Sequence, residues 1–215
     1  MAEGQNFLDN MKKSFADVPI DTANDNAIDT IAFLAASQEL LNLIPAFGLA
    51  LNKLIGKDIR GNIEGVREGC MRNPLHAATL QELYAVDKIV QEKLMWLMRG
   101  LSLIYYALAQ DVDDETEKSK PLEKQQLTGA FRQSYAKVLE PHHSYLAQKG
   151  ALLGINTTLP TSEKFYKALS STKPIDVVRE QLKPWLAGLG RIIDILDPLV
   201  EPTSPAYQAR ANAKK

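Results

Sequence analysis

The sequence predicts an all-α fold, and three observations carry that reading. Apolar residues recur every three or four positions through most of the chain, as on the buried face of a helix. No segment alternates apolar and polar residues like a strand with one wet face, and no internal repeat is present. The run LMWLMRGLSLIYYALA, Leu94–Ala109, is apolar on nearly every face, as expected of a central bundle helix covered all round.

Residues 1–27 mix polar positions with Phe7, Phe15 and Val18, and Pro19 followed by DTANDN reads as an irregular, partly ordered arm. Asp29 or Thr30 is placed to cap a helix carrying Ile31, Leu34, Leu40, Leu41 and Ile44 until Pro45 interrupts it. A second helix spans about 47–71. After the turn at Asn73-Pro74, Leu80, Leu83, Val86, Ile89 and Val90 keep helical spacing and lead into the central helix. The acidic stretch DVDDETEKSKP, Asp111–Pro121, reads as a solvated connection. Leu127, Phe131, Tyr135, Val138 and Leu139 mark an amphipathic helix between Glu123 and Gln148 that Pro141 bends. ALLGINTTLPTS, Ala151–Ser162, reads as a loop, and SEKFYKALSS as a short helix ended by Lys173-Pro174. Val178, Leu182, Leu186, Leu189, Ile192, Ile193 and Leu196 form the stripe of a last helix over 175–196. One domain over 28–200 is expected, followed by a polar, proline-spaced and disordered tail, 201–215.

A chain of 215 residues with 45% hydrophobic content holds enough apolar material for one sizeable core. The formal net charge of −1 offers no basic field to a phosphate backbone, so nucleic acid is not an expected partner. A single cysteine, Cys70, forms no intrachain disulfide, in keeping with a reducing compartment. The opening MAEGQNFLDNMKKSF lacks the apolar core of a secretory signal, and nowhere do about eighteen apolar residues run together. A cytoplasmic protein that meets membranes peripherally, through a few aromatic and basic side chains, is the expectation.

Catalytic signatures are absent: there is no phosphate-cradling glycine loop, no GxSxG elbow and no HExxH. His142 and His143 are adjacent, hence about 100° apart on a helix, and Cys70 and His76 add no ligand spacing, so neither metal nor cofactor is expected. Asp58 and His143 are an acid and a base by type, but no nucleophile or oxyanion device accompanies them. What the pattern does offer is a polar claw. In KDIRGNIEGVR, Lys57–Arg67, Asp58 and Asn62 are four apart and share a helix face, while Ile59, Ile63 and Val66 turn elsewhere. A carboxylate accepts hydrogen bonds and an amide both donates and accepts, which suits a ligand rich in hydroxyls or carrying an amide. The alternative is that both residues face water. Trp96 likewise has two readings, a core aromatic or a flat platform for the CH face of a sugar.

Three separated segments bear on that choice. DIRGN at Asp58–Asn62, LMWLMRGL at Leu94–Leu101 and PHHSY at Pro141–Tyr145 resemble the signature segments of the glycolipid transfer protein family. The resemblance runs from about Ile28 to Val200, and within the family the chain looks most like the fungal heterokaryon-incompatibility branch. It implies a two-layer helical sandwich around an apolar lipid tunnel, with no enzymatic activity. It also implies non-enzymatic transfer or sensing of a sphingolipid, foremost a simple glycosphingolipid, with transient contact at the membrane surface.

By the same resemblance Asp58 takes hydrogen bonds from the sphingoid amide N–H and from sugar hydroxyls, and Asn62 holds the sugar. Trp96 matches the stacking tryptophan and His143 the histidine that donates to the ceramide carbonyl. A buried amide costs about 2–7 kcal/mol unless paired, so a donor and an acceptor placed for one amide favour sphingolipid over glyceride. Tyr145 matches an aromatic beside the tunnel mouth and, with Lys149, is the candidate for membrane docking. One position departs from the pattern. The family's glycolipid binders carry a lysine seven residues after the aspartate, where this chain has Gly65; Arg67 is a further headgroup contact only if the helix turns it inward. Relatives that carry ceramide phosphate place a basic residue at position 62 and an arginine at position 96. Neither is present, although Arg60 and Arg99 keep a ceramide-1-phosphate-type transfer protein open as the alternative. A helical scaffold or signalling module that has lost its lipid is the remaining reading.

Overall fold

The structure, a computed structural model, describes residues 7–202; most of the expected tail lies outside the described residues. Its principal helices are α1 (Thr30–Leu40), α2 (Lys57–Arg72), α3 (Leu80–Val86), α4 (Lys88–Asp113), α5 (Thr128–Val138), α6 (Tyr145–Thr158), α7 (Ser162–Leu169) and α8 (Ile175–Val200). Helix α4 is central, flanked by α2, α5 and α8. Leu94, Leu97, Leu101, Ile104 and Leu108, at alternating steps of three and four, form its fully buried stripe.

The helix starts follow from local chemistry. Asp29 caps α1, its carboxylate accepting from the Ala32 N–H at 2.7 Å, and Thr79, Ser144 and Thr161 cap α3, α6 and α7 in the same way. Helix α1 stops at Leu40, and Pro45 opens a 3₁₀ turn, Ile44–Phe47, where its missing N–H leaves no partner unsatisfied. By length and composition Thr30–Phe47 is apolar enough to cross a membrane, with a mean hydropathy of 1.3, although Ser37, Gln38, Glu39 and Asn42 interrupt the apolar run. It is folded instead into α1, a turn and the 3₁₀ segment, with 56% of it buried.

Several boundaries differ from the sequence reading. The periodicity from Leu80 to Val90 is divided at Asp87, whose extended backbone (φ −129°, ψ 107°) ends α3 and caps α4. Asp111 is no part of a solvated connection: α4 continues through it, and the hydroxyls of Ser162 and Tyr166 donate to its buried carboxylate. Burial pushes the pKa of Asp111 up, against these hydrogen bonds and the charge of Arg179. Ala151–Thr158 is helix rather than loop. Ala151 and Ile155, four apart, are buried, and the Thr157 and Thr158 hydroxyls fold back onto the carbonyls of Leu153 and Gly154. Helix α8 runs on to Val200; Pro184 lies on its exposed side, where the carbonyl it frees faces solvent. In the arm, a two-residue antiparallel ladder pairs Ile20–Asp21 with Ala27–Ile28, and Phe7 and Phe15 pack edge-on against Trp185 at centroid distances of 6.3 and 5.4 Å.

Helices α2 and α4 approach closely because side chains are missing between them. A Cβ at Gly69 would collide with Val90, one at Gly65 would lie 2.6 Å from Cγ of Lys93, and one at Gly100 would touch Ile59 at 3.0 Å. Residues 59, 65 and 69 of α2 therefore meet 100, 93 and 90 of α4, an antiparallel arrangement. Asp87 fastens one end of the pair. Its Oδ1 accepts from the N–H groups of Ile89 and Val90 at 2.9 and 3.1 Å, while Oδ2 accepts from Arg72 Nη2 at 2.9 Å and Asn73 Nδ2 at 2.8 Å. Burial alone would raise this carboxyl. The Val90 N–H, the Arg72 guanidinium and the Ile89 N–H outweigh it and hold Asp87 below the usual carboxylate range.

Replacing Asp87 with alanine removes a helix cap and a charge-assisted pair together, and is expected to destabilise the fold by about 2–3 kcal/mol. Because the folded-state pKa is depressed, the contribution is complete above pH about 4 and lost as pH falls through the lowered value. The gap in melting temperature between wild type and Asp87→Asn should therefore close on acidification below about 4; a gap constant from neutral to strongly acid pH would refute this role.

Candidate functional site

Helix α2 has an irregular entry. Leu49–Leu51 is helical, Asn52–Gly56 winds as a π-helix, and α2 continues from Lys57. Across this wide turn Leu51, Ile55 and Asp58 all line a single cavity. Trp96, Gly100 and Leu103 reach it from α4, Phe131 and Tyr135 from α5, and Ala147, Gly150, Ala151 and Ile155 from α6. Leu139 and His143, on either side of the 3₁₀ turn Glu140–His142, complete the wall. The cavity measures about 360 Å³, inside the range of roughly 300–1,000 Å³ usual for ligand pockets. Glycine and alanine at 100, 147, 150 and 151 leave the room for it. Among the described residues of the wall, those with polar side-chain atoms are Asp58, Trp96, Tyr135 and His143.

Of the sequence-derived set, Asp58, Trp96 and His143 line this cavity, while Asn62 stands behind Asp58 rather than in the wall. Asn62 is buried, and its Nδ2 donates to Oδ2 of the solvent-exposed Asp58 at 3.1 Å, the four-residue contact expected of a claw. Partial burial pushes Asp58 up from the usual carboxylate range, opposed by the charges of Lys93 and His143 and by the Asn62 hydrogen bond. His143 Nδ1 lies 2.9 Å from the Tyr135 hydroxyl. Burial lowers the pKa of His143 and the nearby Arg99 lowers it further, against the pull of Asp58, so the ring is neutral near pH 7. With the Tyr135 O–H donating to Nδ1, the neutral ring carries its hydrogen on Nε2 and offers one donor.

Trp96 is half-buried, with the Arg99 guanidinium 4.3 Å from its ring centroid. Arg99 is itself buried, ion-paired with Glu201 just past the end of α8, and His142 Nε2 lies 3.8 Å from the same carboxylate. The expected tail therefore begins with an anchored residue. It also follows that the two adjacent histidines diverge, one towards the cavity and the other towards Glu201.

The condition for an Arg67 headgroup contact is not met: Arg67 is not turned inward, and its Nη1 pairs with exposed Glu64 at 2.5 Å, one turn back on the outer face of α2. At Gly65 the stem of Lys93 lies across the glycine and fills the space that a side chain there would take. Tyr145 stands 71% exposed on α6, with Lys149 Nζ 4.9 Å from its ring centroid. Leu146, Leu153 and Leu49 are exposed as well, and the opposite face of α6 lines the cavity. Sequence reading missed Tyr135, whose place on a core stripe hid its bond to His143. It missed Leu146 and Leu153 too, because the loop assigned from Ala151 onward broke their seven-residue spacing. A larger hollow, about 570 Å³, lies between α4 and α5 and is lined by Tyr105, Tyr106, Asp113, Asp114 and Lys137. Those charges suit it poorly to a lipid chain.

Comparison with known proteins bears on the family and the fold. The sequence model of the family "Glycolipid transfer protein (GLTP)" matches residues 28–171. A glycolipid transfer protein of Aureobasidium melanogenum is 29% identical over 199 residues, covering 90% of this chain and 92% of that one. The crystal structure of HET-C2, a fungal glycolipid transfer protein, is similar with a TM-score of 0.80 and 31% identity, over 91% of this chain and 96% of that one. Human ceramide-1-phosphate transfer protein in complex with 2:0 ceramide-1-phosphate shares the fold, with a TM-score of 0.74 at 19% identity over 94% and 98% of the two chains. The helical fold implied by the three motifs is the fold present, and the chain belongs to the glycolipid transfer protein family.

Proposed function

We propose that the protein binds a sphingolipid, foremost a simple glycosphingolipid, and carries it between membranes without covalent chemistry. The observation behind this reading is the junction of an apolar cavity with one carboxylate, backed by the Asn62 amide, one indole and one neutral imidazole. Asp58 accepts from the sphingoid amide N–H and from sugar hydroxyls, and Asn62 adds a donor and an acceptor for the sugar. Trp96, steadied by Arg99 on one face, receives the CH face of the sugar on the other. His143 donates from Nε2 to the ceramide carbonyl, and the hydrocarbon lies among Leu103, Phe131 and Ile155. A lipid without the amide leaves these groups unpaired, at about 1–3 kcal/mol each.

A neutral headgroup is favoured over a phosphate by the charges at the mouth. Asn62 and Trp96 are uncharged, Asp58 repels an anion, and Arg99 is already neutralised by Glu201. The names of the fungal relatives support the same choice, whereas the likeness to the ceramide-1-phosphate protein is one of fold. Tyr145, Leu146 and Leu153 set an apolar face beside the cavity wall, and Lys149 adds attraction to anionic lipid, so α6 is the docking element.

Offered labelled glucosyl-, galactosyl-, lactosyl- and phospho-ceramide in donor vesicles, the protein is expected to transfer the neutral glycolipids at least about tenfold faster than the phosphate. Preference for the phosphate would reverse the headgroup assignment, and transfer of none would end the proposal. Asp58→Asn should reduce transfer about 30-fold or more, since an NH₂ then meets the ligand's donors. Its melting temperature at pH 7 should not fall. A raised carboxyl pKa favours the folded state only at low pH and loses that advantage as pH rises, so any difference from wild type should vanish below pH about 4. Asn62→Leu should harm glycolipid more than bare ceramide, and His143→Leu should weaken both alike; equal patterns for the two variants would contradict the division of roles.

Tyr145→Ala should slow vesicle binding without altering affinity for a soluble short-chain glycolipid. A lowered melting temperature with unchanged vesicle partitioning would place the docking face elsewhere.

A further inference from the structure

We propose that Lys93 is the cation of the headgroup site, delivered across Gly65 from the neighbouring helix, and that it selects a neutral, hydroxyl-bearing headgroup. This rests on the sphingolipid-binding reading above and names a residue that reading does not contain. Lys93, Trp96, Gly100 and Leu103 follow one another at steps of three, four and three on one face of α4, and the last three line the cavity. Opposite them on α2 stand Asp58, Asn62 and Gly65, at steps of four and three. Lys93 and Gly65 are the next pair along these two facing stripes, and they touch. A Cβ at position 65 would fall 2.6 Å from Cγ and 2.9 Å from Cδ of Lys93, so any side chain there would displace the lysine stem. Gly65 is accordingly a slot, and the ammonium that α2 does not provide arrives from α4.

The charge reaches the site. The Lys93 ammonium favours the ionised form of Asp58, yet it closes no ion pair with that carboxylate; its Nζ lies 3.5 Å from Oε1 of exposed Glu92. Such a surface pair is weak and readily exchanged, and the Lys93 side chain remains 34% exposed. An ammonium and a carboxylate held near each other but unpaired define a place for a group that accepts from one and donates to the other. A hydroxyl does both through a single oxygen. A phosphate oxygen satisfies the ammonium and meets repulsion from Asp58, whereas bare ceramide has no sugar hydroxyl to place there.

The test uses Lys93→Met, which keeps an apolar stem over Gly65 and removes the charge. Binding of soluble short-chain galactosylceramide and of short-chain ceramide is measured by titration, alongside thermal melting. Expected are an affinity about tenfold weaker for galactosylceramide, unchanged affinity for ceramide and an unchanged melting temperature. The exchange Gly65→Lys with Lys93→Ala, which moves the ammonium back to α2 and clears its path, should restore galactosylceramide binding to within about threefold of wild type. Gly65→Lys alone should lower the melting temperature, because two stems then compete for one slot. If wild type binds both ligands and Lys93→Met binds them equally well, Lys93 is no headgroup residue while the lipid-binding reading stands. Equal weakening towards both ligands overturns the sugar contact. Should wild type bind neither ligand, the parent reading fails and this inference falls with it.

Discussion

The close antiparallel contact of α2 and α4 is the constraint from which the site follows. Asp58 and Asn62 belong to one helix and Trp96 to the other, so a shared ligand needs the two backbones nearer than ordinary side chains allow. Gly65, Gly69 and Gly100 provide that approach. Each interior glycine sacrifices roughly 0.5–1 kcal/mol of helix stability relative to alanine, a loss offset by the burial of Ile59, Ile63, Val66 and Val90 along the seam. Register along the seam is set at the far end by Asp87, which holds the last turn of α2 and the first of α4 in one carboxylate. A single anchor, about two and a half turns of α4 from Trp96, therefore fixes which residues of α2 the indole faces.

Electrostatically the mouth of the cavity is close to balance, with Lys93 and Asp58 of opposite sign and Arg99 paired with Glu201. Partial burial raises the pKa of Asp58, against the charges of Lys93 and His143 and the Asn62 hydrogen bond, and lowers that of His143, whose neutral ring costs less to enclose with a lipid. Arg99 would break this pattern were it unpaired. Its bond to Glu201 removes most of the field, at a desolvation penalty that makes such buried pairs poor sources of stability. What the pair gives in return is position: Arg99 is pinned against the Trp96 ring, and the end of α8 is tied to the wall of the site.

Much of this was legible in the sequence where the signal is local. The buried stripes of α4 and α8, the cap at Asp29 and the Asp58–Asn62 contact all follow from local signals along one helix. What could not be read depends on distances between helices. Asp111 looked like part of an acidic, solvated run because its partners, Ser162 and Tyr166, are some fifty residues away. Gly65 looked like the loss of a lysine because nothing in one helix reveals what crosses over it. The division at Asp87 was hidden by apolar periodicity continuing on both sides of a capping residue, and α6 was cut short by Gly154 and two threonines whose hydroxyls turn back onto their own helix.

The π-helical entry Asn52–Gly56 has a consequence for how such a site changes over generations. An α-helix turns about 100° per residue, and a π turn absorbs one residue beyond the α count, so this segment sets the angular frame of everything after it. Losing a single residue there would leave composition, apolar content and every downstream side chain intact, yet either the π turn would tighten to α or α2 would rotate Asp58 and Asn62 away from Trp96. The orientation of the polar claw thus depends on the length of this five-residue segment, and a one-residue insertion or deletion would disturb it without touching any claw residue.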